Sequence, residues 1–131
     1  MRKKIVIRPL IREKFQEFLQ GQRILFSSAP CGFGKTTVAE ALLSGRAVLR
    51  RSGEDEDPIP KEGDWNILLV DDFQRMPEEN VLALCQYIRS PPDRRFVFLS
   101  RGAPPGCMMA FQYAGIMGVI SAQEMLFDEE D

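Results

Sequence analysis

Three uninterrupted apolar runs, each closing on polar residues, constrain this chain more than any other feature. They are "RILFSS" at 23–28, "NILLVDD" at 66–72 and "RRFVFLS" at 94–100. Runs of this kind, without polar alternation, are what strands covered on both faces require, and such strands occur in parallel sheets. "RAVLRR" at 46–51 and "IMGVIS" at 116–121 read as two further strands. Between them the spacing turns helical. Ile11, Phe15, Phe18 and Leu19 fall at i, i+4, i+7 and i+8, with Gly21 as a stop. "KTTVAEALLS" at 35–44 puts Val38, Ala41 and Leu42 inward and ends at Gly45. Pro77, Glu78 and Glu79 favour a helix start, Val81, Leu84, Cys85 and Ile88 form its inner face, and Pro91–Pro92 end it. "APPGCMMAFQYAG" at 103–115 reads as a loop and a short helix, and the acidic, Pro/Gly-rich stretch 52–64 as a surface loop. Strands alternating with helices imply an α/β fold with a mostly parallel five-stranded sheet, right-handed crossovers and helices on both faces.

The length of 131 residues suits one domain over 1–131. A chain of this size buries roughly 65–70% of its extended surface, so a core forms without staples. The formal net charge of −2, with no basic stripe beyond "RKK" at 2–4, gives no electrostatic case for contact with nucleic acid. The chain has no histidine, so histidine-based triads are excluded. Cys31, Cys85 and Cys107 are odd in number, and their spacings fit no metal or disulfide framework. Reduced thiols and a cytoplasmic location are expected. Cys85 is expected in the core. The apolar stretch after the basic start is three residues long, too short for a signal peptide. "MMAFQYAGIMGVI" is too short for a membrane span.

In open parallel sheets, ligands bind beyond the carboxyl ends of the strands. Polar residues collect there at 29–37, at Asp71–Asp72 and at Ser100–Arg101. The first group is a near match to the phosphate-loop pattern G-x-x-x-x-G-K-[ST]. It runs Ala29, Pro30, Cys31, Gly32, Phe33, Gly34, Lys35, Thr36, followed by Thr37. Alanine replaces the first glycine, which alters the approach to the loop and leaves the amide donors around a β-phosphate. Lys35 can bridge the outer phosphates, the Thr36 hydroxyl can hold Mg²⁺, and the following helix adds its positive end. Asp71 is placed to hold Mg²⁺. Asp72 is read either as the group that orients the attacking water or as a solvated acid. Arg101 is read either as a contact to the γ-phosphate or as a surface partner of the acidic loop. A guanine-specific Asn-Lys-x-Asp stretch is absent, so adenine is the default base. Arg8, Pro9, Leu10 and Ile11 are candidates to cover it, or simply pack on the first helix. Cys31 is either an oxidation-prone thiol at a helix dipole or a small loop side chain.

Taken in order, "IRPLIREKFQEFL", "SSAPCGFGKTT", "ILLVDDFQRM", "FVFLSRGAPP" and "EMLFDEED" resemble the STAND class of P-loop ATPases. More narrowly, they resemble the N-terminal nucleotide-binding domain of large LuxR-type transcriptional regulators of the maltose-activator type. The resemblance covers almost the whole chain. It implies a P-loop fold that switches between an ADP-bound resting state and an ATP-bound state that self-associates. Lys35 and Thr36 would hold phosphate and Mg²⁺, Asp71 would be the metal acid, Asp72 the water-directing acid and Arg101 a strand-end sensor, with "RPLI" near adenine. It further implies slow ATP hydrolysis, and further domains of the same parent chain that sense effectors and read DNA. Two departures stand out: the stretch before "ILLVDD" is short for that family, and the chain stops at "FDEED", where Asp128 would cap a helix opening the lid region. Alternatively, Ser121 and Glu124 form a capping box for a short last helix. A small-molecule or nucleotide kinase, and a nucleotide-binding scaffold without turnover, are the competing expectations.

Overall fold

A computed structural model describes residues 9–28, 39, 42–55, 57, 59, 63–89 and 94–120. Five strands form one sheet: β1 (Ile24–Ser28), β2 (Val48–Ser52), β3 (Ile67–Asp71), β4 (Arg95–Ser100) and β5 (Met117–Ile120). Their order is β2-β3-β4-β1-β5. Every pairing is parallel, so the sheet is parallel throughout. Three of the strands are the apolar runs of the sequence. They occupy the middle of the sheet, where both faces are covered and polar alternation would bury unpaired groups. β2, at one edge, is half-exposed and carries Arg50 and Arg51.

The helices divide between the faces. Helix α1 (Pro9–Gly21) covers the first face with Ile11, Phe15 and Phe18. These pack with Leu25, Ile67, Leu69, Val97, Leu99 and Ile120 of the sheet, and Ala39 and Leu43, between β1 and β2, join the same cluster. The Leu43 amide donates to the Ala39 carbonyl at 2.9 Å, a helical i to i−4 bond. Val38 and Ala41 lie outside the described residues, and Leu42 is half-buried against this cluster. On the second face lie helix α2 (Glu78–Ile88) and the short helix α3 (Met109–Tyr113). The inner face of α2 is Val81, Leu84, Cys85 and Ile88, as the spacing predicts. They pack with Ile24, Phe26, Leu68, Val70, Phe96 and Phe98. Alternate residues of each strand thus serve opposite layers, which is the period-2 rule of a sheet covered on both sides.

The division follows from chain direction. From β1 the chain travels to the far edge at β2, then steps back through β3 and β4 and passes over β1 to reach β5. Right-handed crossovers that run in opposite directions along a sheet must lie on opposite faces. Ala39 and Leu43 lie on the first face, whereas α2 and α3 lie on the second.

The amino-end edge of the sheet is closed by arginines. The Arg94 guanidinium stacks 3.8 Å from the Trp65 ring centroid and donates to the Gly63 carbonyl and the Tyr87 hydroxyl. The Arg95 guanidinium donates to the carbonyls of Phe18 and Gln22, tying the end of α1 to β4. Burial, and secondarily the neighbouring Arg95, hold the Arg23 guanidinium below its usual range. Among the described residues no helix is long and apolar enough to cross a membrane.

The facing of α2 sets a clear contrast. Leu84 is fully buried, whereas Leu82 is 47% exposed on the same helix. Leu84→Ala should lower unfolding free energy by about 2–5 kcal/mol, and Leu82→Ala by no more than about 0.5 kcal/mol, measured by urea denaturation. Equal effects would contradict the facing of this helix.

Candidate functional site

The direction of the chain reverses at β1. Between β1 and β2, Ala39 and Leu43 pack on the first face, whereas Met108 and Phe111, after the neighbouring β4, pack on the second. Adjacent strands whose connections part in this way open a ligand-binding cleft beyond their carboxyl ends. Register places Ser28 opposite Ser100, at that edge. Val70 pairs with Phe98, so Asp71 ends β3 at the same edge.

Side chains knit this edge together. The Ser28 hydroxyl donates to the Gly102 carbonyl at 2.9 Å, and the Gly102 amide donates to the Ser100 hydroxyl at 3.0 Å. The Arg101 amide donates to the Gln74 side-chain oxygen at 3.0 Å, which joins the end of β4 to the turn after β3. Three strand ends are therefore held in a fixed relation. The Arg101 residue itself is exposed. An ion pair reaching the acidic loop comes from Arg75, to Glu54 at 3.0 Å. Both partners are well exposed, so the pair adds little stability.

The acidic turn has an unusual backbone. Asp72 lies in the left-handed region, with φ 51° and ψ 43°, and is the one non-glycine residue with positive φ among those described. That conformation costs an ordinary L-residue roughly 1–2 kcal/mol and is tolerated best by Asp, Asn and Gly. Strained backbone is retained where surrounding contacts over-determine it, and two such contacts are visible. Phe73, which follows at once, is buried with its ring 5.7 Å from Phe26 and 4.8 Å from Phe98. Gly53, just past β2, donates its amide to the Asp71 carbonyl at 2.8 Å. A Cβ at Gly53 would lie 2.2 Å from the Asp72 carbonyl oxygen, so only glycine fits this approach. The Asp71 carboxylate accepts the Asp72 amide at 2.8 Å through Oδ1, and its Oδ2 lies 3.6 Å from the Arg50 guanidinium.

Of the residues picked out from sequence, Asp71, Asp72 and Arg101 meet at this edge. Pro30, Cys31, Gly32, Phe33, Gly34, Lys35, Thr36 and Thr37 lie outside the described residues, as does Arg8. The tail positions Ser121, Glu124 and Asp128 lie outside them too. Helix α1 runs back along the sheet from Gly21, which directs its first turn toward the carboxyl edge. There Pro9 and Leu10 are exposed, whereas Ile11 is in the core. Ser27, just before the end of β1, is buried, and its hydroxyl has no hydrogen-bond partner among the described residues. Sequence reasoning missed the Phe73 anchor, the Gly53 contact and the Gln74 bridge. The signals were faint: an aromatic immediately after two acids, and a Ser-Gly step at the end of a strand.

Among the described residues no group of three or more His, Cys, Asp or Glu is arranged to hold a metal ion. A magnesium ion bound mainly through phosphate oxygens needs no such cage, since one or two carboxylates suffice. The chain matches no protein-family model, and a search of curated proteins found no relative.

Two substitutions test the turn. Gly53→Ala should cost about 1–3 kcal/mol by forcing the Asp72 carbonyl to move. Asp72→Gly should melt no lower than the parent protein, because glycine adopts this conformation freely, whereas Asp72→Val should melt measurably lower. Equal melting temperatures for the two Asp72 variants would show that position 72 is not held left-handed.

Proposed function

We propose that this chain is an adenine-nucleotide switch domain that binds ATP or ADP with Mg²⁺ and hydrolyses ATP slowly. The observation that carries the reading is the shared edge. β1 ends at Ser28, directly before the phosphate-loop motif 29–37, and this end lies in register with Ser100 of β4, whose other neighbour β3 ends in the Asp71–Asp72 turn at the same edge. The sequence motif thus directly follows a strand end at the edge where open parallel sheets bind ligands.

In this proposal the loop amides and Lys35 hold the β- and γ-phosphates. Asp71 and the Thr36 hydroxyl offer hard oxygen donors of the kind magnesium prefers. The ion would neutralise charge on the phosphate tail. Asp72 then has a distinct task. Its backbone is held left-handed at the carboxyl edge, and a carboxylate at such a position can orient a water molecule. The Arg101 backbone is fixed through Gln74, which gives its guanidinium a defined origin from which to sense a γ-phosphate. Pro9 and Leu10, exposed at the start of α1, are candidates to cover the base. Without an arginine supplied by a neighbour, which elsewhere is worth roughly 10³–10⁵ in rate, turnover is slow.

The same reading includes the STAND-class resemblance. The parent would be a large LuxR-type regulator, with self-association in the ATP state and DNA contact left to other domains. The kinase alternative requires an acceptor pocket and an arginine-bearing lid. The paired acids Asp71 and Asp72 favour water attack over transfer.

Titration calorimetry with ATP and Mg²⁺ tests the proposal, with phosphate release followed in parallel. Lys35→Ala should weaken binding at least about tenfold, a loss of about 1.4 kcal/mol. Asp71→Asn should remove the magnesium dependence. Asp72→Asn should leave binding in place while phosphate release falls. A flat titration for the parent protein would refute the nucleotide reading. Transfer to an added acceptor with little free phosphate would favour the kinase.

A further inference from the structure

Two of the three cysteines, separated by 22 positions in the chain, meet in the fold. Cys85 Sγ and Cys107 Sγ lie 3.4 Å apart. Cys85 is on the inner face of α2, and Cys107 is in the 3-10 turn Gly106–Met108 that leads from β4 into α3. Their spacing in sequence suggests no framework, and the contact arises only because α2 and this turn pack on the same sheet face.

We propose that Cys85 and Cys107 form a reversible dithiol–disulfide pair that ties α2 to the segment following β4. A disulfide holds its sulfurs about 2.05 Å apart, so closing this one brings them together by about 1.3 Å. Both cysteines sit on elements already packed against each other, and Cys107 lies on an irregular segment that can follow the movement.

The two thiols have different exposures, and this sets the order of events. Cys107 is half-buried and borders an open surface groove of about 450 Å³ lined by Met76, Val81, Leu82 and Pro105. A small oxidant reaches it from solvent. Cys85 is buried. Burial first, and then the hydrogen bond with Cys107, push its thiol up to about 12, so it is a poor first nucleophile. With a peroxide as oxidant, the Cys107 thiolate attacks one peroxide oxygen, the O–O bond breaks, hydroxide leaves, and Cys107 becomes a sulfenic acid. The Cys85 sulfur then loses its proton and attacks Cys107 Sγ. The S–O bond breaks and the departing hydroxide takes up a proton as water. In sum, two thiols and one hydrogen peroxide give one disulfide and two waters, with two electrons passing from sulfur to oxygen. A thiol reductant reverses the bond by exchange.

The bridge restrains the segment that begins at Arg101, because Cys107 follows it by six residues. The inference stands apart from the nucleotide reading, since it uses no residue assigned to that site.

The test uses the full chain, reduced and then freed of reductant. It is treated with hydrogen peroxide or oxidised glutathione, alkylated, digested with trypsin and mapped without reduction. Cleavage at arginine and lysine puts Cys85 in peptide 76–89, Cys107 in peptide 102–131 and Cys31 in peptide 24–35. The expected product is 76–89 joined to 102–131, lighter by about 2 Da than the sum of the two free peptides. Free thiols should fall from three to one and return to three with dithiothreitol. Cys31→Ser should leave the link intact, and Cys107→Ser should abolish it while Cys85 remains alkylatable. The proposal is overturned if Cys85 stays fully alkylatable after oxidation, whether Cys107 is then free, overoxidised or capped by glutathione. A link that runs to Cys31 instead overturns it equally.

Discussion

The parallel ladder between β1 and β4 is the constraint on which the rest of this structure depends. It aligns Ser28 with Ser100, and with β3 on the far side of β4 it brings three strand ends to one edge. Because β1 is flanked by β4 and β5, both its faces must be covered, and its residues alternate between two separate cores. The connections to either side must then leave on opposite faces. The expectation of a cleft at this edge thus comes from strand order and handedness, before any side chain is considered.

Side chains then fix the geometry of this edge. The Asp71–Asp72 turn is held by packing from below, through Phe73 against Phe26 and Phe98, and by backbone contact from the side, through Gly53. The Gln74 bridge to the Arg101 amide joins this turn to the end of β4, and the Ser28–Gly102–Ser100 links join β4 to β1. An acid kept in a left-handed conformation by the Phe73 and Gly53 contacts is positioned by the fold rather than by its own preference.

Much of this was readable from sequence because it is local. The apolar runs 67–70 and 96–99 declare central strands, and the spacing of Val81, Leu84, Cys85 and Ile88 declares the buried face of α2. The strand-end acids could be picked out because ligands bind at that edge in all open parallel sheets. What could not be read depends on contacts between distant parts of the chain. Nothing near Gly53 indicates that it will press against the Asp72 carbonyl, and nothing near Cys107 points to Cys85. The order of the strands is likewise a property of the whole chain. The phosphate-loop residues themselves remain a matter of pattern: their motif is legible in the sequence, while their placement lies outside the described residues.

The position of β1 also bears on how this protein is made. Its partners begin at Phe96 and Met117, 72 and 93 residues downstream of Ile24. On a ribosome adding about 5–20 residues per second, the apolar segment 24–26 waits several seconds for its first neighbour. β2 and β3 can pair much sooner, since Val48 and Ile67 are separated by 19 residues. The strand synthesised first therefore waits longest for its first partner. During synthesis it is the segment most exposed to chaperones, and the stage at which a nascent copy is most vulnerable to aggregation ends only when β4 emerges.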